Sequence, residues 1–213
     1  RGYVEALGMA PGLNETFTRA LAQMEQQSLR MTSLINDLLA LSKLETDDRE
    51  NAHQSVELKP LLDTICGDAI EFSADKNHHI TVRCPENLSL QGSNKELHSA
   101  FSNLVFNAVK YSPANNDVTI VVSQDPHGLR VAVKDTGEGI DPVHLPRLTE
   151  RFYRVDSSRH ADTGGTGLGL AIVKHVLLRH GATLDVQSQV GKGSVFTCIF
   201  PIQRLSTLSK DVE

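Results

Sequence analysis

The sequence predicts an α+β protein in which a long amphipathic helix leads into a layered α/β sandwich. Three observations carry that prediction. An apolar stripe at helical spacing runs through residues 15–45. From Ser55 onward, helical patterns alternate with short strands, most of them joined as hairpins. The 213-residue chain, with 39% hydrophobic and 22% charged residues, 15 Gly and 8 Pro, has the composition of a folded globular protein.

The elements follow in order. Arg1-Gly2-Tyr3 opens without a methionine and reads as part of a longer chain. Residues 1–8 read as the end of a helix, and Pro11-Gly12-Leu13-Asn14 as a turn whose asparagine caps the next one. Phe17, Leu21, Met24, Met31, Leu34, Ile35, Leu38, Leu41 and Leu44 then recur at spacings of three and four. At ~1.5 Å per residue such a helix is about 45 Å long, too long for a small domain to cover, so it calls for another helix or a second copy of itself. An ordinary core helix is the alternative, since Ser28 and Ser42 interrupt the stripe. The polar run 45–51 marks a linker. The expected divisions are a partial helical hairpin over 1–46, a linker over 47–54, the sandwich over 55–202 and a tail over 203–213. Within the sandwich the pattern predicts helices over 59–75, 94–111 and 168–180. Strands are expected near 79–84, 88–91, 117–124, 129–135, 182–189 and 194–200.

Composition excludes several functions. A net charge of −5 with no basic block argues against nucleic acid as a partner. Aromatic residues make up only 5%, with no Trp, so no base-stacking platform is expected. Cys66, Cys84 and Cys198 form no CxxC pair, which supports neither a disulfide framework nor a thiolate zinc site and fits a reducing compartment. No run reaches the ~18–20 apolar residues needed to span a bilayer, and no signal peptide is visible.

Three segments carry chemistry. In the helix at 94–111, Ser93 and Glu96 fit a capping box. Glu96, Ser99, Asn103, Asn107 and Lys110 fall within an arc of roughly 80°, and apolar residues cover most of the rest. A buried helix with such a strip needs a polar partner, because an unpaired buried amide costs about 1–3 kcal/mol. A magnesium-bound polyphosphate would satisfy it: carboxamide oxygens are hard ligands for Mg²⁺, and an ammonium offsets phosphate charge. Asparagines bonded to neighbouring backbone are the plainer alternative. The second segment is DTGEGI at 135–140, where Gly137 and Gly139 permit a sharp turn against a flat ligand and Asp135 can accept from an exocyclic amine. The third is GGTGLGLAIVKH at 164–175, whose glycines suit close approach of phosphate to backbone N–H groups at a helix start. It is neither a Walker loop nor a Rossmann fingerprint. The polar stretch up to Thr163 reads as a mobile lid with an aromatic anchor at its base.

NLVFNAVKY (103–111), DTGEGI (135–140), RFYRVDSSR (151–159) and GGTGLGLAIVKH (164–175) resemble, in order and spacing, four boxes of bacterial sensor histidine kinases. These are the N box, first glycine box, F box and second glycine box. The long helix resembles the second helix of that family's dimerisation and phosphotransfer hairpin. The resemblance implies a Bergerat-type ATP-binding sandwich, with ATP and Mg²⁺ as cofactors. Carried over by position, Asn107 would ligate Mg²⁺ with help from Asn103. Lys110 and Tyr111 would contact phosphate and nucleotide, and Asp135 the adenine amine. Gly137, Gly139 and Ile140 would shape the base pocket. Gly165, Thr166, Gly167, Leu168 and Gly169 would hold the phosphates and the lid hinge. Arg154 would stabilise charge on the transferring phosphoryl group.

The resemblance also implies a homodimer formed through the hairpin and a response-regulator receiver domain as partner. It implies that this part is a cytoplasmic domain of a membrane-anchored bacterial protein. ATPase relatives of the gyrase and MutL type carry a glutamate at position 103 as general base for water. Asn103 cannot take a proton near neutral pH, which favours transfer to a protein nucleophile. A nucleotide-free adaptor keeping the fold is the other alternative, and the intact glycines and polar strip disfavour it. None of the nine histidines sits in the family's phosphoacceptor motif, which is expected upstream of Arg1. The chain is therefore expected to bind ATP without phosphorylating itself.

Overall fold

A computed structural model describes residues 15–46, 54–73, 76–155 and 165–207. The expected helix end and turn at 1–14, most of the linker, and the lid segment 156–164 lie outside the described residues.

The long helix α1 spans Glu15–Thr46, 32 residues without a glycine or proline to interrupt it. Only Leu21 and Leu41 of its stripe are buried. Met24, Met31, Ile35 and Leu39 are each more than half exposed, at 61%, 66%, 55% and 56%. An apolar seam of that size calls for another helix to cover it.

The remaining described residues form two sheets and three helices. Strands β1 (Gln54–Glu57), β2 (His79–Arg83) and β3 (Leu88–Gly92) surround helix α2 (Leu58–Phe72) in sequence. Helix α3 (Asn94–Lys110) is followed by the hairpin of β4 (Asp117–Asp125) and β5 (Gly128–Asp135). Helix α4 (Gly169–Arg179) leads into β6 (Thr183–Gln189), β7 (Gly193–Pro201) and a short β8 (Leu205–Thr207). The main sheet has the order β2-β4-β5-β7-β6, parallel between β2 and β4 and antiparallel elsewhere. Its strands alternate: Val118, Ile120 and Val122, Val131 and Val133, and Cys198 and Phe200 all point to the helix layer and are buried. Leu62, Ile65, Leu97, Phe101, Leu104, Ile172 and Val176 meet them from the helices. Each such side chain contributes roughly 1.5–3 kcal/mol by leaving water.

The ends differ from expectation. Residues 205–207 pair with β3, and β3 also pairs with β1, giving a small antiparallel sheet of order β1-β3-β8. Ordered strand therefore begins at Gln54, inside the expected linker, and continues into the expected tail. Runs of four and three residues are too short to show an alternation. A 3₁₀ helix over Pro142–Arg147, with prolines at both its first and fifth positions, was likewise not foreseen.

The start of α3 is fixed by a half-box. Ser93 Oγ accepts from Glu96 N at 3.4 Å, but the Ser93 N–H goes to His180 Nε2 at 3.2 Å rather than to the Glu96 carboxylate. Glu96 instead pairs with Arg179 at 3.2 Å. The His180 ring donates from Nδ1 to Val176 O at 2.8 Å, so Nε2 is the acceptor and the imidazole is neutral. A Cβ on Gly92 would lie 2.5 Å from that nitrogen, so only glycine fits beside it. Burial holds the His180 pKa below its ordinary 6.5. A proton binds the unfolded chain more readily, so the histidine's contribution is complete above pH 6.5 and is lost as the pH falls below it. Urea unfolding at pH 7.5 and 5.5 is predicted to show less acid destabilisation in His180→Gln than in the unaltered chain.

Candidate functional site

The C-terminal half of α3, the turn after β5, the loop before α4 and one flank of α1 enclose a cavity of about 600 Å³. One end is built for a flat, polar-edged group. Asp135 closes β5 and is buried; its Oδ1 accepts from Gly137 N at 2.8 Å and from Ser194 N at 3.1 Å. Burial nevertheless outweighs these bonds and raises the Asp135 pKa above its ordinary 3.8. Ala108, Ile140, Leu148 and Phe196 supply apolar walls around it. The turn itself requires glycine. Gly139 has φ +69°, and a Cβ there would run into the carbonyl of Gln189.

The other end is cationic. Burial, then the neighbouring Arg154, Arg30 and Lys76, pull the Lys110 pKa down to about 8. Lys110 is half-buried and makes no ion pair among the described residues, so its ammonium is placed to take an anion. The glycine loop presses directly on it: a Cβ on Gly165 would lie 2.6 Å from Lys110 Nζ. Gly167, at φ +74°, lies against the backbone of Phe152, and Phe152 N donates to Gly167 O at 2.9 Å. Phe152 is itself held at φ +63°, a conformation side chains rarely adopt, just before the segment 156–164. Phe152 is more than half exposed; Tyr153 is the anchoring ring there. It is bonded to His144 Nδ1 at 2.7 Å and lies beneath the Arg147 guanidinium at 4.3 Å.

The two asparagines differ. Asn103 donates Nδ2 to Ser99 O at 2.8 Å, and its Oδ1 faces Gly169, where a Cβ would lie 2.5 Å away. The plainer alternative of a backbone-bonded asparagine thus holds for Asn103, which interlocks α3 with the start of α4. Asn107 lines the cavity with no side-chain hydrogen bond among the described residues. Its oxygen is the donor a hard cation would use.

Of the sequence-predicted residues, Asn103, Asn107, Lys110, Tyr111, Asp135, Gly139, Ile140, Arg154, Gly165, Thr166, Gly167 and Gly169 line this one cavity. Gly137 and Leu168 do not: Gly137 is packed beneath Asp135, and the Leu168 side chain is fully buried. Sequence reasoning missed Ser194, which acts through its backbone N–H, and it missed the whole contribution of α1. Ser33 and Asp37 of α1 line the cavity, and Thr166 Oγ1 donates to Asp37 Oδ2 at 2.7 Å. Further along, Glu45 pairs with Arg151 and lies 3.4 Å from His175 Nε2.

Comparison with known proteins gives the family. Residues 92–204 match the family described as histidine kinase-, DNA gyrase B-, and HSP90-like ATPase, and residues 1–47 match the His Kinase A (phospho-acceptor) domain. The chain therefore belongs to the histidine kinases within that ATPase family. The phosphate regulon sensor protein PhoR of Pseudomonas aeruginosa is 54% identical over 200 residues, covering 93% of this chain and 45% of that protein. PhoR of Haemophilus influenzae is 38% identical over 201 residues, covering 94% and 47%. The chain thus spans about half the length of these curated relatives. Among solved structures, full-length ShkA in complex with AMPPNP matches with a TM-score of 0.73 at 26% identity, covering 99% of this chain and 43% of that one. The mycobacterial sensor histidine kinase MprB matches with a TM-score of 0.60 at 29% identity, covering 70% and 97%.

The Lys110 ammonium gives a pH test. Its charge is lost as the pH rises through about 8. Affinity for ATP is predicted to fall roughly tenfold between pH 7 and 9 as the charged fraction drops. Titration calorimetry should find Lys110→Met weaker at pH 7 and flatter across this range.

Proposed function

We propose that this chain is the ATP-binding part of a sensor histidine kinase, holding Mg·ATP in the cavity between α3 and the glycine loop. The observation that carries this reading is the pairing of ends. A buried carboxylate with one oxygen already spent on backbone faces an apolar slot, and an ammonium with no ion pair among the described residues faces the glycine loop. Adenine offers an exocyclic amine to Asp135 and a flat face to Ile140, Leu148 and Phe196. The triphosphate offers anionic oxygens to Lys110, Arg154 and the N–H groups of residues 165–169. The donor set fits Mg²⁺ at Asn107 and at Asn103, whose Nδ2 is spent on Ser99 O while its Oδ1 faces Gly169 at the start of α4. When bound there, the ion would neutralise phosphate charge.

Lys110 and Arg154 orient the terminal phosphoryl group, and the glycine loop keeps water from its flank. Asn103 stands where a hydrolytic enzyme needs a base and cannot act as one. The nucleophile is then a histidine nitrogen of the full-length protein, which takes the γ-phosphoryl group as the bond to ADP oxygen breaks. The phosphoryl group passes on to an aspartate of a response-regulator receiver domain. The exposed stripe of α1 supports a homodimer. The run LTERFYR at 148–154 resembles that of phosphate-regulon sensor kinases, and the names of the two PhoR relatives support phosphate signalling as the pathway. No described helix is long and apolar enough to cross a membrane. Membrane anchoring, with this part in the cytoplasm, belongs to the full-length protein on this reading.

Thermal unfolding tests the reading. Millimolar ATP with Mg²⁺ is predicted to raise Tm, the added stability reaching roughly 2.7 kcal/mol at a hundredfold excess over Kd. An unchanged Tm at saturating nucleotide would favour a nucleotide-free adaptor.

A further inference from the structure

The long helix does more than carry an apolar seam. Arg30, Ser33 and Asp37 follow at spacings of three and four, along one flank of α1. That flank faces the cationic end of the cavity, where Ser33 and Asp37 form part of the wall. Thr166, in the middle of the glycine loop, spends its only hydroxyl proton on Asp37 at 2.7 Å while accepting from Leu168 N at 3.2 Å. Two turns further along α1, Glu45 pairs with Arg151 and reaches His175, and Leu44 O accepts from Arg179 Nη1 at 3.3 Å. The helix is thereby fastened to residues before, within and after the glycine loop.

A carboxylate has thus taken a position beside a phosphate-type loop. It is an anion bonded to the hydroxyl at the loop's centre, in the same cavity as Lys110 and Arg154. Those are the partners a terminal phosphate would use, and a second anion brought into this half-buried space is repelled by the first.

We propose that Asp37 is an internal competitor of the nucleotide's terminal phosphate, so that docking of α1 and binding of ATP oppose each other at Thr166. The proposal rests on the reading of the cavity as a nucleotide site. The opposition is reciprocal: whatever factor the docked helix removes from ATP affinity, ATP removes from helix docking. ATP therefore frees α1 from the glycine loop, whereas ADP, lacking the terminal phosphate, leaves the contact largely in place. A helix that must carry a phosphoacceptor hairpin past a loaded nucleotide would gain its freedom only when ATP is present.

Calorimetric titration of ATP and ADP, each with Mg²⁺, into the unaltered chain, Asp37→Asn and Glu45→Gln tests this. Asp37→Asn is expected to bind ATP about three- to tenfold tighter, with ADP affinity changed less than about twofold. Glu45→Gln loosens the helix at its far end without altering charge near Thr166, and is expected to tighten ATP binding in the same direction. ATP affinity unchanged or weakened in Asp37→Asn, with measurable binding to the unaltered chain, would overturn the competition alone. No ATP binding to the unaltered chain would overturn the nucleotide reading, and this proposal with it.

Discussion

The structure depends on how closely the glycine loop approaches α3. At Gly169 the backbone comes so near to Asn103 that a single methyl group would collide with it, and at Gly165 it reaches the tip of the Lys110 side chain. Gly167 lies equally close to the Phe152 backbone. This packing holds two segments some 60 residues apart in sequence as the facing walls of one cavity. It also covers a half-buried ammonium that has no ion pair among the described residues. The cost of keeping Lys110 charged in that place is visible in its lowered pKa. An anionic ligand would restore what burial removes.

The remainder of the fold serves that approach. The alternating apolar faces of β4, β5 and β7 give α3 and α4 a rigid floor. His180 ties the end of α4 to the start of α3 through one backbone N–H, so the helices that carry the two walls are registered at the opposite end from the cavity. Asp135 depends on the same floor, since Ser194 from β7 and Gly137 from the turn both direct N–H groups at it. The Asp135 end and the Lys110 end of the cavity thus rest on one sheet.

Much of this was legible in the sequence because it is local. The 3.6-residue period of α3 separates its polar strip from its buried sides, and Gly139, Gly167 and Gly169 mark where a side chain could not fit. What escaped was of three kinds. Strands β1 and β8 are too short to display a period. Ser194 contributes a backbone N–H, which every residue except proline carries, so its identity says nothing. The contacts of Asp37 with the glycine loop and of Glu45 with Arg151 and His175 join residues more than a hundred positions apart, and no local pattern marks them. Asn103 shows the opposite case: a helical asparagine can always reach the carbonyl four residues back, and it does so here.

The central claim is that the cavity reads adenine at Asp135 and phosphate at Lys110. Competition binding of ATP against GTP, each with Mg²⁺, tests it most directly, because guanine presents a carbonyl oxygen where adenine presents an amine. With a carboxylate at that edge, ATP should bind at least about tenfold more tightly than GTP. Equal affinity, or a preference for GTP, would contradict the assignment of Asp135 as the base-reading group.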